Sequence, residues 1–233
     1  MLGTGESQTM QLSIIVPILN ERPGLPDLLQ RLQALQYHGA EVIIVDGGSS
    51  DGSATVAETA GFTVFHSERG RARQMNVGAA KASGDTLLFL HADTHWPEDI
   101  THHIEQALAD SRHRWGRFDV NISGQPSMLR VIATLMNLRS RLTGIATGDQ
   151  ALFMTRAIYD SVGGFPEQPL MEDIEICKRL RQHTPPVCLT VRVTTSGRRW
   201  EQCGVWRTIF LMWRLRWAYW RGVPATELAR AYR

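Results

Sequence analysis

Apolar positions fall in short blocks along the first half of the chain. Leu12-Ser13-Ile14-Ile15-Val16-Pro17 is nearly continuous and predicts a buried strand that stops at its proline. From Gly24, leucines at 25, 28, 29, 32 and 35 step by three or four residues, the spacing of one helix face, and Tyr37-His38-Gly39 closes that helix. Val42-Ile43-Ile44-Val45 predicts a second buried strand. A helix over 53–60, a strand over 62–65 and a helix opening after Gly70 come next. Thr86-Leu87-Leu88-Phe89-Leu90 predicts a fourth strand after the turn signal Gly84-Asp85, and a helix runs from Pro97 to about Asp110. Apolar strands alternating with helices predict a parallel sheet covered on both faces.

Beyond residue 110 the rhythm changes. Residues 117–123 alternate as in a strand, 128–142 form a helix rich in Leu, Ile and Met, and 151–155 and 187–193 read as strands. Together they predict a mixed extension of the same sheet, so the expected class is α/β, a Rossmann-like, mostly parallel mixed sheet. An amphipathic helix is predicted over 205–221. Trp206, Trp213, Trp217 and Trp220 share one face with Phe210 beside them, and Arg207, Arg214 and Arg221 repeat every seven residues along one edge. Gly222 and Pro224 end it, and a short helix to Tyr232 follows. The expected organisation is a flexible N-terminus over 1–10, a domain over 11–200 and a basic helical tail over 201–233.

Length and composition, 233 residues with 43% hydrophobic and 21% charged, are those of one soluble globular domain. The net charge of +2 hides an asymmetry. Residues 198–233 carry eight Arg against two Glu, a net of +6, which leaves the rest at −4. Such a tail points to an anionic partner surface, phospholipid or phosphate. A Trp and Arg helix suits a membrane interface, and packing on the body is the competing reading. The Trp-rich face argues against nucleic acid. Cys177, Cys188 and Cys203 have no metal-ligand spacing, and a sparse, odd count favours a reducing compartment. Residues 1–10 lack the apolar run of a signal peptide, and no stretch reaches about 18 uncharged apolar residues, the length of a membrane span. The expected location is cytoplasmic, with peripheral contact at the inner face of the cell membrane.

Candidate chemistry gathers where strands end. Asp93, in His91-Ala92-Asp93 after the fourth strand, stands where open α/β sheets bind ligands, and an Asp there can hold a hard divalent cation. Glu21 and Asp46 follow the first and second strands. Gly70 lets backbone approach a ligand, and the next helix start offers N–H groups to an anion, with Arg71 and Arg73 adding charge. A solvated basic helix start is the plainer reading. Glu172-Asp173 sits at a helix N-terminus, where the pair is either a cap or a source of a general base.

Six segments in order resemble family 2 glycosyltransferases, inverting enzymes of GT-A fold. They are Ile14-Ile15-Val16-Pro17-Ile18-Leu19-Asn20-Glu21, Val45-Asp46-Gly47-Gly48-Ser49-Ser50-Asp51-Gly52, the run from Gly70-Arg71-Ala72 through Asn76-Val77-Gly78 to Gly84-Asp85, His91-Ala92-Asp93, Gly163-Gly164-Phe165 and Glu172-Asp173. The likeness runs over about 12–200. Gly148-Asp149-Gln150 with Leu170-Met171-Glu172-Asp173 also resembles a small bacterial subgroup linked to arsenosugar biosynthesis. The resemblance implies transfer of a sugar from a nucleoside diphosphate sugar, UDP by default, to a hydroxyl on a small-molecule or lipid-linked acceptor. It implies that Asp46 holds base or ribose, that Pro17, Glu21 and Ala92 line the nucleotide pocket, and that Arg71 lies near the diphosphate. Asp93 would be the last acid of the family's Asp-x-Asp motif and coordinate Mn²⁺ or Mg²⁺. Asp173 would be the base, supported by Glu172.

Two departures stand out. His91 replaces the first Asp of Asp-x-Asp, and Asp46-Gly47 replaces a paired Asp-Asp. His91 is then a softer metal ligand, a sugar contact or a packed structural residue, the last two being favoured. The alternative to an enzyme is a non-catalytic module binding sugar nucleotide or membrane, which has no need of a base at Asp173.

Overall fold

The computed structural model describes residues 10–232. The flexible N-terminus expected over 1–10 lies almost wholly outside the described residues.

Seven strands form one sheet: β1 (Leu12–Ile18), β2 (Glu41–Asp46), β3 (Thr63–His66), β4 (Thr86–Phe89), β5 (Trp115–Ser123), β6 (Leu152–Thr155) and β7 (Val187–Ser196). Their order is β3-β2-β1-β4-β6-β5-β7. The first four are mutually parallel, β6 runs antiparallel to both β4 and β5, and β7 is parallel to β5. The helices are α1 (Leu25–Tyr37), α2 (Ser53–Thr59), α3 (Arg71–Lys81), α4 (Ile100–Leu108), α5 (Met128–Thr143), α6 (Arg156–Ser161), α7 (Glu172–Leu180), α8 (Arg198–Cys203), α9 (Val205–Trp220) and α10 (Ala225–Tyr232).

Both faces of the sheet are covered, as the apolar strands require. Ile14, Val16 and Ile18 point into one core with the α1 leucines and with Ile100 and Ile104 of α4. Ile15, Leu87 and Phe89 point to the other, against Met75 and Ala79 of α3 and Ile176 and Leu180 of α7. Gly78 lets α3 press onto β1, since a Cβ there would stand 2.4 Å from Ile15 Cγ2.

Three sequence expectations change. β1 continues one residue past Pro17. Pairing with β4 has already stopped at Ile15, so the missing proline N–H costs nothing on that side. β5 is buried at every position from Trp115 to Val120 and alternates only at its end. Arg117 and Asp119 are charged but inside, paired to each other, with Arg141 Nη2 2.7 Å from Asp119 Oδ2. The short helices α6 and α8 carry too few turns for a visible period.

The C-terminal helices pack on the body through one side. Leu215 of α9 and Leu228 of α10 join Met171 and Ile174 in a small core, while Val205 and Ile209 meet Ile122, Leu129 and Ile132. The opposite side of α9 exposes Trp206, Phe210, Trp213, Trp217 and Trp220. A second apolar stripe, Val131, Leu135, Leu138 and Leu142, is exposed on α5. Among the described residues, no helix is long and apolar enough to cross a membrane.

Candidate active site

Strand order sets the place of the site. The chain moves one way from β1 to β2 and β3, then returns to add β4 on the other side of β1. Loops leaving β1 and β4 therefore diverge, and a crevice opens at their carboxyl ends. A cleft of about 860 Å³ lies there. Pro17 and Glu21 line it from β1, Ala92 and Asp93 from β4, Arg71 from the start of α3 and Glu172 from the start of α7. A small adjoining cavity of about 10 Å³ is lined by Asp173, Glu172, Arg71, His91 and Gly148.

Asp46 behaves differently. Its side chain is buried, and its carboxylate accepts N–H bonds from Gly48 at 2.9 Å and Ser49 at 3.0 Å within its own loop, with His66 Nδ1 at 3.7 Å. Asp46 is not on the cleft wall. It folds the loop after β2, and nearby Gln74 clamps the ends of β1 and β2 by donating to Ile18 O and Val45 O.

The first turn of α3, beginning at Arg71, faces the cleft with its N–H groups, a ready anion site beside the Arg71 guanidinium. Arg71 Nη1 lies 3.9 Å from Glu172 Oε1. Asn76 ties α3 to the loop before α7. Its side chain accepts from Tyr159 O–H at 2.7 Å and Phe165 N–H at 2.9 Å and donates to Phe165 O at 2.8 Å. This explains the Asn76 and Gly163-Gly164-Phe165 signals.

Asp173 Oδ2 accepts the Gly148 N–H at 3.1 Å. Burial pushes the Asp173 carboxyl up to about 6, and the Glu172 charge adds to that against the N–H groups of Gly148 and Ile174. Burial likewise raises Glu21, with Arg198 opposing it and Asp93 adding to it.

All three non-glycine residues with positive φ among the described residues flank this site. Asn20 (φ +55) precedes Glu21, Ala151 (φ +47) follows the turn Gly148–Gln150, and Met171 (φ +67) precedes Glu172. Strained backbone of this kind persists where surrounding packing imposes it, often at functional sites.

The donor set fits a divalent cation only together with a diphosphate. Among the described residues no three His, Cys, Asp or Glu converge on one point. Asp93 offers a single carboxylate, and Mg²⁺ is commonly held by one or two carboxylates plus substrate phosphate and water.

The glycosyl transferase family 2 sequence pattern matches residues 13–160. The chain belongs to glycosyl transferase family 2. It is 29% identical over 170 residues to the undecaprenyl-phosphate 4-deoxy-4-formamido-L-arabinose transferase of Pseudomonas fluorescens, covering 65% of this chain and 48% of that protein. It is 26% identical over 220 residues to the poly-beta-1,6-N-acetyl-D-glucosamine synthase of Staphylococcus aureus, covering 84% and 53%. The family member thus spans about half the length of these curated relatives. Its fold is the GT-A arrangement. A mannosyltransferase from Pyrobaculum calidifontis, solved with GDP-Man and Mn²⁺, superposes with TM-score 0.67 at 22% identity, covering 91% of this chain and 62% of that one. Glucosyl-3-phosphoglycerate synthase from Mycobacterium tuberculosis, with Mn²⁺, UDP and glucosyl-3-phosphoglycerate, gives 0.59 at 15%, covering 80% and 71%.

Several cleft residues carry no readable sequence signal. Tyr232 and Ala229 of α10 line it, as do Met136 of α5 and Thr195 of β7. The Arg199 guanidinium stacks 3.8 Å over the Tyr232 ring and donates to Tyr232 O at 2.9 Å.

Proposed function

We propose that this protein transfers a sugar from a nucleoside diphosphate sugar to a hydroxyl acceptor, with inversion and with Mn²⁺ or Mg²⁺. The observation that carries this is one crevice lined by both Asp93 and Glu172, with Asp173 in the small cavity that adjoins it. Pro17, Glu21 and Ala92 line the nucleotide part, and the α3 N-terminus with Arg71 receives the diphosphate. Asp46 acts from beneath, by shaping the loop beside the base. Asp93 would hold the cation, which when bound would neutralise charge on the diphosphate. Asp173 takes the proton of the attacking hydroxyl, and its raised pKa suits a base working near neutrality. Glu172 pairs with Arg71 at 3.9 Å, and its charge raises the proton affinity of Asp173. Attack from the face opposite the diphosphate inverts the anomeric centre. UDP is the default nucleotide. A non-catalytic module would have no use for the base.

Calorimetry tests the donor reading. Wild type binds UDP or GDP more tightly with Mn²⁺ present, and Asp93→Ala loses that enhancement. A wild type indifferent to Mn²⁺ with every nucleoside diphosphate refutes it.

The acceptor is a small molecule or is lipid-linked. The exposed Trp face of α9, edged by Arg207, Arg214 and Arg221, supports peripheral membrane contact through 205–221. Full-length protein should float with anionic vesicles and less so with neutral ones. Trp213→Ser with Trp217→Ser should remain below. Equal flotation of both proteins rejects this surface.

A further inference from the structure

The turn Gly148-Asp149-Gln150 has no part in the chemistry described so far, yet it is among the most firmly held pieces of the site. Gln150 is fully buried, and its Nε2 donates to Ser140 Oγ at 3.1 Å and Asn137 Oδ1 at 3.3 Å. Thr147 donates its N–H to Gln150 Oε1 at 3.2 Å, which closes the turn from the other side. Gly148 donates its N–H to Asp173, and any Cβ at Gly148 would stand 2.4 Å from His91 Nε2. On the other side, Asp149 Oδ1 lies 3.3 Å from His91 Nδ1. His91 is itself two residues before Asp93.

Asp149 therefore stands between His91, two residues before Asp93 of the metal–diphosphate corner, and Gly148, whose N–H meets the base Asp173. In an in-line displacement the leaving diphosphate and the incoming hydroxyl lie on opposite sides of the sugar. A group placed between their two anchors faces the sugar ring itself. The surroundings of Asp149 fit that position. His91 is 8% exposed and Gln150 is closed off, but the Asp149 side chain is 42% exposed and lines the cleft. Burial alone would raise its carboxyl, but the hydrogen bond from His91, and then Arg71, hold it below the ordinary value. One edge of the carboxylate is thus turned to His91 and another meets the Thr195 hydroxyl, which leaves its remaining lone pairs to the cleft. A carboxylate can accept from two neighbouring hydroxyls at once.

His91 has a matching geometry. A ring that gives its Nδ1–H to Asp149 leaves Nε2 as an acceptor, and Nε2 is buried without a partner. His91 lines the cavity of about 10 Å³, the size of a single water. The pair is rigid, anionic on its cleft side and set from below by the Gly148 contact.

We propose that Asp149 is a specificity-determining residue that accepts hydrogen bonds from adjacent hydroxyls of the donor's sugar, with His91 as its positioning residue. This rests on the nucleoside diphosphate sugar reading above, and it explains what the His91 replacement in Asp-x-Asp accompanies. The acidic group at this corner is supplied from the turn before β6 in place of the strand end.

The test compares full-length wild type, Asp149→Asn and Asp149→Ala by calorimetry with Mn²⁺. The probes are UDP and GDP, and a panel of their glucose, galactose, N-acetylglucosamine and mannose conjugates. Wild type discriminates among the conjugates. In both variants affinity for the preferred conjugate falls about 10- to 100-fold, the loss expected for hydrogen bonds to a charged group, while affinity for the bare nucleoside diphosphate is unchanged. Asn is isosteric, so its unchanged nucleotide binding also certifies a folded site. A parallel loss of bare nucleotide affinity, or unaltered discrimination among the sugars, overturns the assignment while leaving the donor reading intact. Wild type that binds no nucleoside diphosphate overturns both.

Discussion

Glu172→Gln removes a negative charge next to the proposed base and leaves its burial alone. The Asp173 carboxyl is pushed from 3.8 to about 6, first by burial and then by Glu172. With a pKa of about 6, about nine-tenths of Asp173 is ionised at about pH 7 and about one-tenth at about pH 5, so turnover should fall roughly tenfold between them. Without the Glu172 charge the carboxylate is easier to form, and the acid limb should move to lower pH. Asp173→Asn should erase that limb and slow turnover by about 10²–10⁴-fold, the usual range for a lost general base. The assay is release of nucleoside diphosphate from the donor selected by calorimetry, followed as initial rates across the acid range. A limb that stays put in Glu172→Gln, or that persists in Asp173→Asn, refutes the reasoning. The same shift has a stability counterpart with a definite sign. The folded pKa exceeds the unfolded one, so the ionised carboxyl opposes folding above about pH 6, and that opposition fades as the pH falls. The difference in Tm between Asp173→Asn and wild type should therefore narrow on acidification.

Two structural predictions accompany it. Gly78→Ala places a Cβ 2.4 Å from Ile15 Cγ2 and 3.1 Å from Val45 Cγ2, and should destabilise by about 1–3 kcal/mol in urea unfolding through overpacking of α3 on β1. Asn76→Ala strips partners from the Tyr159 hydroxyl and the Phe165 N–H, and should lower Tm by an amount equivalent to about 1–3 kcal/mol.

Much of the fold was legible because its signals are local. The leucines at 25, 28, 29, 32 and 35 are all buried, as their spacing implies. The strands β1, β2 and β4 carry nearly continuous apolar runs because both sheet faces are covered. β5 was harder. Arg117 is among the most buried side chains of the protein, and a charge inside a strand hides the apolar period unless its partner Asp119 is known to share the interior. The helix α5 carries apolar residues on two sides, Leu129, Ile132 and Ala133 inward and Val131, Leu135, Leu138 and Leu142 outward. Periodicity cannot tell which of two apolar stripes meets the core.

By itself the sequence placed most strands and helices to within a few residues, and so marked which acids and arginines stand near strand ends and helix starts. It also carried the family motifs, because these depend on residue type and spacing alone. What only the tertiary structure decided is which of those groups face one another. Asp46 turned inward because its own loop supplies N–H donors within three residues. Asp149 reached His91 across 58 positions, and Gly148 reached Asp173 across 25. Tyr232 came back to Arg199 at the cleft through the packing of α9 and α10 on the body. Such contacts arise from strand order and helix docking, which bring together positions whose local sequences hold no record of each other.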